Sequence, residues 1–252
     1  MLPPLSALSL HRRDDEESSR PWNDWIAAVT EGKGIASRPR FKRWKALRGD
    51  DKQDFYRLVN ESENDRFSMG QYDTPYTGDD IDVVLKSGTW SIEHVLPRLF
   101  VNGRDAGEAE DDWLGWDVAD RDANSARSAL PLVLWPMQNT KVGRVRIGRE
   151  VHFNPLEEHK ARLARRWLFL RATYAEIDSL RPPSHAQKRH AKEILEHVRD
   201  TRIGYAEERF QLLLQQYVSK RFDATWVNPL YGTDTGKYLD DAAWRALVFG
   251  PA

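Results

Sequence analysis

The chain has 252 residues and nearly balanced charge, with 38 lysine and arginine residues, 39 aspartate and glutamate residues and a formal net charge of −1. Hydrophobic residues make up 40% of the chain and charged residues 31%, which is ordinary for a soluble protein that can bury a substantial core. The chain contains no cysteine, so it has neither a disulfide nor a thiolate zinc site.

Two further absences concern location. The longest apolar run, residues 130–137, is interrupted by prolines and is far shorter than a membrane span. The first residues do not form a basic segment followed by an apolar stretch and a cleavage site. The sequence therefore predicts a cytoplasmic protein without a membrane partner, and neither a haem nor a nucleotide cofactor is expected.

Patterning along the chain predicts four regions and an α+β fold. Residues 1–20 are proline-rich and then acidic, which is typical of a mobile arm, and residues 21–84 carry apolar stripes at helical spacing. Residues 85–180 mix strand and helix patterns. Residues 184–252 form a second helical region, with one long helix predicted over 185–220 and a possible break at Gly204.

Within the mixed region, the first strand is predicted at 89–95 and an acidic loop at 102–112. The apolar run 130–135 is the predicted second strand, and the alternation over 142–152 predicts a short hairpin. A helix follows, and its apolar stripe consists of Leu163, Trp167, Leu170 and Tyr174.

The sequence WSIEHVLP at residues 90–97 contains the most informative pair, Glu93 and His94. A histidine can deprotonate water near neutral pH, and a carboxylate can hold the divalent ion that stabilises the charge growing on a phosphate. Alternation along a strand would point the two side chains to opposite faces, so a solvent-facing Glu93 is the rival interpretation.

Further motifs follow in order: NSARSALPL from Asn124, NTKVG from Asn139, FNP from Phe153, and the helix KARLARRWLFLRATY from Lys160. Over residues 85–175 this series resembles the endonuclease I family, DNA nucleases with a ββα-metal core. In that family the order is W-x-x-E-H-V-x-P, N-x-x-R-G-N-x-P-F, N-x-x-K-x-G, F-x-P and a helix K-G-D-x-A-R.

The resemblance implies a ββα-metal nuclease core surrounded by helices, which cuts DNA with one Mg²⁺ ion, or Mn²⁺ in its place. It implies that His94 is the general base, that Glu93 and Asn124 hold the ion, and that cleavage leaves a 5′-phosphate. RNA stays open as an alternative substrate.

The residues alone leave two assignments open, namely the second metal ligand and the role of Arg127. Asn139 follows the predicted second strand and is the rival to Asn124 as metal ligand, since either amide oxygen suits Mg²⁺. Arg127 is predicted to contact the phosphate during catalysis, because a guanidinium can bind two phosphate oxygens, and a surface salt bridge is its alternative role.

Basic residues crowd the segment after Asn139, and they are predicted to contact nucleic acid through phosphates. The predicted contacts are Arg144, Arg146, Lys160, Arg162, Arg165 and Arg166.

The chain also departs from the family pattern. Where the family carries a D-L-H-H-L element, residues 112–116 read DWLGW, so the histidine pair is missing. This departure keeps a second hypothesis open, namely a catalytically inactive nucleic-acid-binding protein on the same scaffold.

Overall fold

The computed structural model describes residues 72–97, 112–138, 140–173, 182–201, 204, 207, 208, 210–215 and 249. The described residues combine helices with two small antiparallel sheets, so the predicted mixed α+β class is confirmed. No helix among them is both long enough and apolar enough to cross a membrane.

The first half of the described chain builds one strand pair and the helix that follows it. Helix α1 spans Ile81–Ser87, strand β1 Trp90–His94, a 3₁₀ turn Trp113–Gly115, strand β2 Trp116–Asp120 and helix α2 Arg121–Arg127. The two strands are antiparallel, with Trp90 opposite Asp120 and His94 opposite Trp116. Asp120 ends β2 and begins α2 at once, because its carboxylate accepts hydrogen bonds from the first free N–H groups of the helix.

The second half begins with a hairpin and ends in helices. Its elements are strands β3 (Gly143–Ile147) and β4 (Glu150–Asn154), a 3₁₀ turn Glu157–His159, and helices α3 (Lys160–Thr173), α4 (His185–Arg189) and α5 (Ala191–Asp200). The predicted hairpin over 142–152 is confirmed, with Val145 opposite His152. The predicted helix through Leu163, Trp167 and Leu170 is also confirmed as α3.

The partner of β1 differs from the prediction. The second strand was expected at 130–135, but β1 pairs with β2. The run 130–135 has an irregular conformation in which residues 132–135 are buried, and it joins β4 instead, through an isolated parallel bridge between Leu132 and Phe153. Pro131 lies within the run and Pro136 follows it, and neither has an N–H to donate to a ladder, so an apolar sequence alone could not make the run a regular strand.

The long helix predicted over 185–220 is interrupted at His190 and again after Asp200, and Gly204, the predicted break, lies outside helix between Asp200 and the helical residues 207 and 208. Helix α4 starts with a capping box in which Ser184 and Gln187 satisfy each other's backbone N–H groups. Helix α5 ends at Asp200, where Thr201 adopts an extended conformation.

One hydrophobic core joins all described parts of the chain. Tyr72 and Ile81 from the predicted N-terminal region pack in the same cluster as Trp116 of β2, and so do Ile194 and Phe210 from the predicted C-terminal region. The predicted boundaries at 84 and 184 therefore divide residues that share one core, and they stay predictions as domain limits.

Close packing fixes the start of β2 against α3. A Cβ atom added at Gly115 would lie 2.6 Å from Cδ1 of Leu170. A side chain at this point of the 3₁₀ turn would therefore require the Leu170 side chain to move.

Candidate active site

Strand β1 ends with the two residues that carry the chemical prediction. The Glu93 side chain is fully buried, whereas His94 is partly exposed. The His94 ring packs edge-on against Trp116, which is its partner across the strand pair, with 5.4 Å between ring centroids. Glu93 therefore lies in the interior, and His94 is only partly exposed, with its Nε2 atom buried.

Helix α2 holds the end of β1 from one side. The amide nitrogen of Asn124 donates to Ser91 Oγ and to the Ile92 carbonyl, at 3.0 Å each. One turn later, Arg127 donates to the carbonyls of His94 and Val95, also at 3.0 Å each. Residues three apart lie on one helical face, so both side chains reach the same strand. The backbone of the Glu93–His94 pair is thus fixed by β2 and by α2.

Arg127 also carries the charge that balances Glu93. One guanidinium nitrogen of Arg127 lies 2.9 Å from Glu93 Oε1, and both side chains are shielded from solvent. Burial raises the pKa of Glu93 to about 7, while the Arg127 charge and the nearby Tyr76 hydroxyl oppose that rise. Glu93 is a carboxylate in an apolar setting with one cation against it.

A second buried carboxylate, Asp117, lies opposite Glu93 on β2. It accepts a hydrogen bond from the Tyr72 hydroxyl at 2.5 Å and lies 3.1 Å from Nε of Arg162. Burial opposes ionisation of Asp117, but the charges of Arg162 and Arg166 outweigh it and hold the pKa below its ordinary value. This carboxylate ties β2 to α3.

Helix α3 buries the basic residues that were predicted to contact nucleic acid. Arg165 pairs with Glu207 at 2.6 Å, and Lys160 pairs with Glu157 at 2.8 Å. Arg166 donates to the Trp116 carbonyl and to the Tyr72 hydroxyl. Four of the predicted contacts, Lys160, Arg162, Arg165 and Arg166, are therefore interior groups with protein partners. Side chains in this position do not fit a surface track for phosphates.

The other two predicted contacts lie on the outside of the β3–β4 hairpin. Arg144 and Arg146 are exposed. Arg144 also donates to the Ala126 carbonyl at 3.3 Å, which joins the hairpin to the end of α2. Of the predicted basic contacts, the structure thus leaves these two open to a ligand.

The predicted metal ligands differ in what they offer a divalent ion. Glu93 is already paired with Arg127. Asn124 binds β1 through its amide nitrogen, whereas a divalent ion would bind its amide oxygen. Asn139 lies outside the described residues. Within the described part of the chain, no group of three or more histidine, cysteine, aspartate or glutamate side chains is placed to hold a metal ion.

Sequence reasoning missed Tyr76 and the pairing role of Asp117, whereas His159, next to residues 153–155, was predicted as a residue that could border the site. Tyr76 reaches Glu93 from a turn, and Asp117 meets partners 45 residues away, so no local spacing signals either one. His159 is buried, and this burial together with the neighbouring Arg162 lowers its pKa to about 3. It is therefore a neutral histidine at neutral pH, close enough to Arg162 and Asp117 to feel the charge of both.

Comparison with known proteins supplies no relative. No protein-family model matches the chain, and no curated protein and no solved structure matches it either.

Proposed function

We propose that the protein is a divalent-metal-dependent endonuclease that hydrolyses DNA phosphodiester bonds, with His94 as the general base. The observation that carries this proposal is the position of His94. It ends the first of two antiparallel strands that are followed directly by a helix, and it is partly exposed. Strand, strand and helix is also the order of elements in a ββα core, although the second strand is β2 and not the predicted run 130–135.

His94 would take a proton from the attacking water, since imidazole is the side chain whose protonation changes near neutral pH. The His94 imidazole needs a fixed orientation to act as a base, and Arg127 contributes to it by donating a hydrogen bond to the His94 carbonyl. Arg144 and Arg146 would bind the DNA backbone, because exposed guanidinium groups suit phosphate oxygens. A divalent ion would supply charge neutralisation at the scissile phosphate.

The first test is cleavage of supercoiled plasmid with Mg²⁺ or Mn²⁺. His94→Ala is expected to lower the rate by a factor of about 10² to 10⁴, the usual cost of losing a general base, while DNA binding and folding persist. His185→Ala is the matched control, because His185 is exposed at the start of α4. A His94→Ala protein that cuts at the wild-type rate would remove this histidine from the mechanism.

The metal requirement is tested separately. EDTA should stop cleavage, and Asn124→Ala should raise the Mg²⁺ concentration needed for half-maximal cleavage more than Asn139→Ala does. Because Asn124 also binds β1, its variant must first show a wild-type unfolding curve. The reverse order of effects would assign the metal to Asn139.

The DNA contact is tested by salt dependence. Each phosphate contact contributes about 0.9 to the slope of log K against log salt concentration on duplex DNA. An Arg144→Ala, Arg146→Ala double variant should therefore lower the slope by about 1.8. Lys188→Ala, Arg189→Ala is the control, since these two exposed cations lie on α4. An equal loss of slope in the control would mean that DNA is not bound through the hairpin.

A specific observation favours a second candidate, a nucleic-acid-binding protein without catalysis. Glu93, the predicted carboxylate ligand, is neutralised by Arg127 in the interior. Salt-sensitive DNA binding without any cleavage in Mg²⁺ or Mn²⁺ would support this candidate over the nuclease.

A further inference from the structure

Glu93 and Arg127, which are paired in the structure, are the residues predicted to bind a metal ion and to contact the phosphate. Glu93 has no solvent exposure and Arg127 has 2%. The contacts of Arg127 fall on three consecutive residues of the chain, Glu93, His94 and Val95. Arg127 thus binds the backbone carbonyls of His94 and of the residue that follows it.

We infer that Glu93 and Arg127 are positioning residues, a buried ion pair that fixes the direction of His94, and that Glu93 is not a ligand of a divalent ion. The inference rests on the proposed catalytic role of His94 for its consequence in catalysis. The coupling between the Glu93–Arg127 pair and the His94 ring does not depend on whether His94 is catalytic.

Burial and charge argue against Glu93 as a metal ligand. Mg²⁺ keeps several of its water molecules when it binds to proteins, so its sites are open to solvent. To reach Glu93, the ion would have to enter the interior and displace a guanidinium at 2.9 Å from the carboxylate. The displaced Arg127 would then be left as a buried cation without its counter-ion, which is strongly unfavourable.

The contacts of Arg127 also argue against direct phosphate binding. A guanidinium binds phosphate through a pair of N–H groups that point the same way. Both terminal nitrogens of Arg127 already donate, one to the His94 carbonyl and the other to the Val95 carbonyl. A phosphate would have to break these bonds to gain the same donors.

The same contacts explain how the pair could direct His94. Trp116 fixes the strand and the ring from the β2 side, while Arg127 fixes the carbonyls at the strand end from the α2 side. Glu93 holds the guanidinium in place by charge. A substitution of Glu93 or Arg127 should therefore change the orientation of the strand end and of the His94 imidazole, while the imidazole itself remains.

The experiment compares Arg127→Lys and Glu93→Gln with Arg121→Lys. Arg121 is a matched control because it lies on the same helix and also binds a backbone carbonyl, that of Gly88 at 2.7 Å, but at the opposite end of β1. The first measurement is the proton resonance of the His94 ring, assigned with His94→Gln. We expect this resonance to shift in Arg127→Lys and to stay at its wild-type position in Arg121→Lys.

The second measurement is Mn²⁺ binding by calorimetry on the full chain. Glu93→Gln should bind Mn²⁺ within about two-fold of the wild type, whereas loss of even an outer-shell partner of a metal ligand typically costs about 10- to 100-fold. The third is cleavage, in which Arg127→Lys should lower kcat and leave KM unchanged, because the substrate contacts lie elsewhere.

The outcomes separate this inference from the proposed function. A wild type that does not cut DNA would refute the proposed function, while a shifted His94 resonance with unchanged Mn²⁺ binding would still support the pair as positioning residues. A loss of Mn²⁺ affinity of 10-fold or more in Glu93→Gln would overturn the inference, and so would an unmoved His94 resonance in Arg127→Lys. If Arg127→Lys fails to fold, the resonance and the Mn²⁺ affinity of Glu93→Gln decide the matter, since glutamine keeps the shape of the side chain.

Discussion

Asp117→Asn should be among the most destabilising single substitutions in this protein. The carboxylate is fully buried and receives three kinds of partner: the Arg162 guanidinium at 3.1 Å, the Tyr72 hydroxyl at 2.5 Å and the Val118 N–H at 2.8 Å. Asparagine keeps the shape and one acceptor oxygen, but it removes the charge that balances Arg162 and Arg166.

The expected magnitude follows from that loss. Removing one partner of a buried ion pair costs about 3 to 5 kcal/mol, because the other charge stays in the interior without compensation. For a chain of this size, each kcal/mol lowers the melting temperature by about 2 to 4 °C, so the expected fall is about 6 to 20 °C.

Thermal unfolding followed by circular dichroism at neutral pH measures the effect. Glu158→Gln is the control, since this exposed glutamate should change the unfolding free energy by no more than about 0.5 kcal/mol. The folded-state pKa of Asp117 is lowered from 3.8, so its stabilising contribution is present above pH 3.8 and is lost as the pH falls below it. The difference between wild type and variant should shrink in that acid range. A melting temperature within about 2 °C of the control would refute the role given to Asp117, because about 2 °C is the smallest shift that 1 kcal/mol produces in a chain of this size.

Three further predictions concern stability. Burial raises the pKa of Glu93 from 4.5 to about 7, so its charge opposite Arg127 is complete only above pH 7. Between these two values the folded protein keeps a proton that the unfolded chain has released, and the unfolding free energy should fall as the pH rises. Glu93→Gln should remove that fall, which chemical denaturation across the pH range would detect; an identical pH dependence in both proteins would contradict it. Gly115→Ala should cost about 1 to 3 kcal/mol through overlap with Leu170, whereas Gly204→Ala, with open space around its Cβ, should be nearly neutral; equal denaturation midpoints would argue against the close packing. Ser184→Ala should lose about 0.5 to 2 kcal/mol by breaking the capping box of α4, and a denaturation curve that overlays the wild type would show that the cap is dispensable.

Local features of the sequence predicted several elements correctly. Alternation with a central glycine predicted the hairpin of β3 and β4, and the stripe of Leu163, Trp167 and Leu170 predicted α3. These signals succeed because a strand repeats every two residues and a helix every 3.6, so the pattern is contained in neighbouring positions. The placement of His94 at the end of a strand was predicted in the same way.

What the sequence could not determine was which elements meet. The apolar run 130–135 has the composition of a strand, yet β1 pairs with β2, whose sequence contains the polar Asp117. Likewise, Arg162 and Arg166 read as surface residues beside an apolar stripe, and only Asp117 and Tyr72, brought from distant parts of the chain, allow them to be buried. A buried charge is stable only next to a partner of opposite charge, and that partner is selected by tertiary contact and not by spacing along the chain. The exposure of a charged side chain, and with it the division between Arg144 on the surface and Arg166 in the core, is therefore decided by the three-dimensional structure.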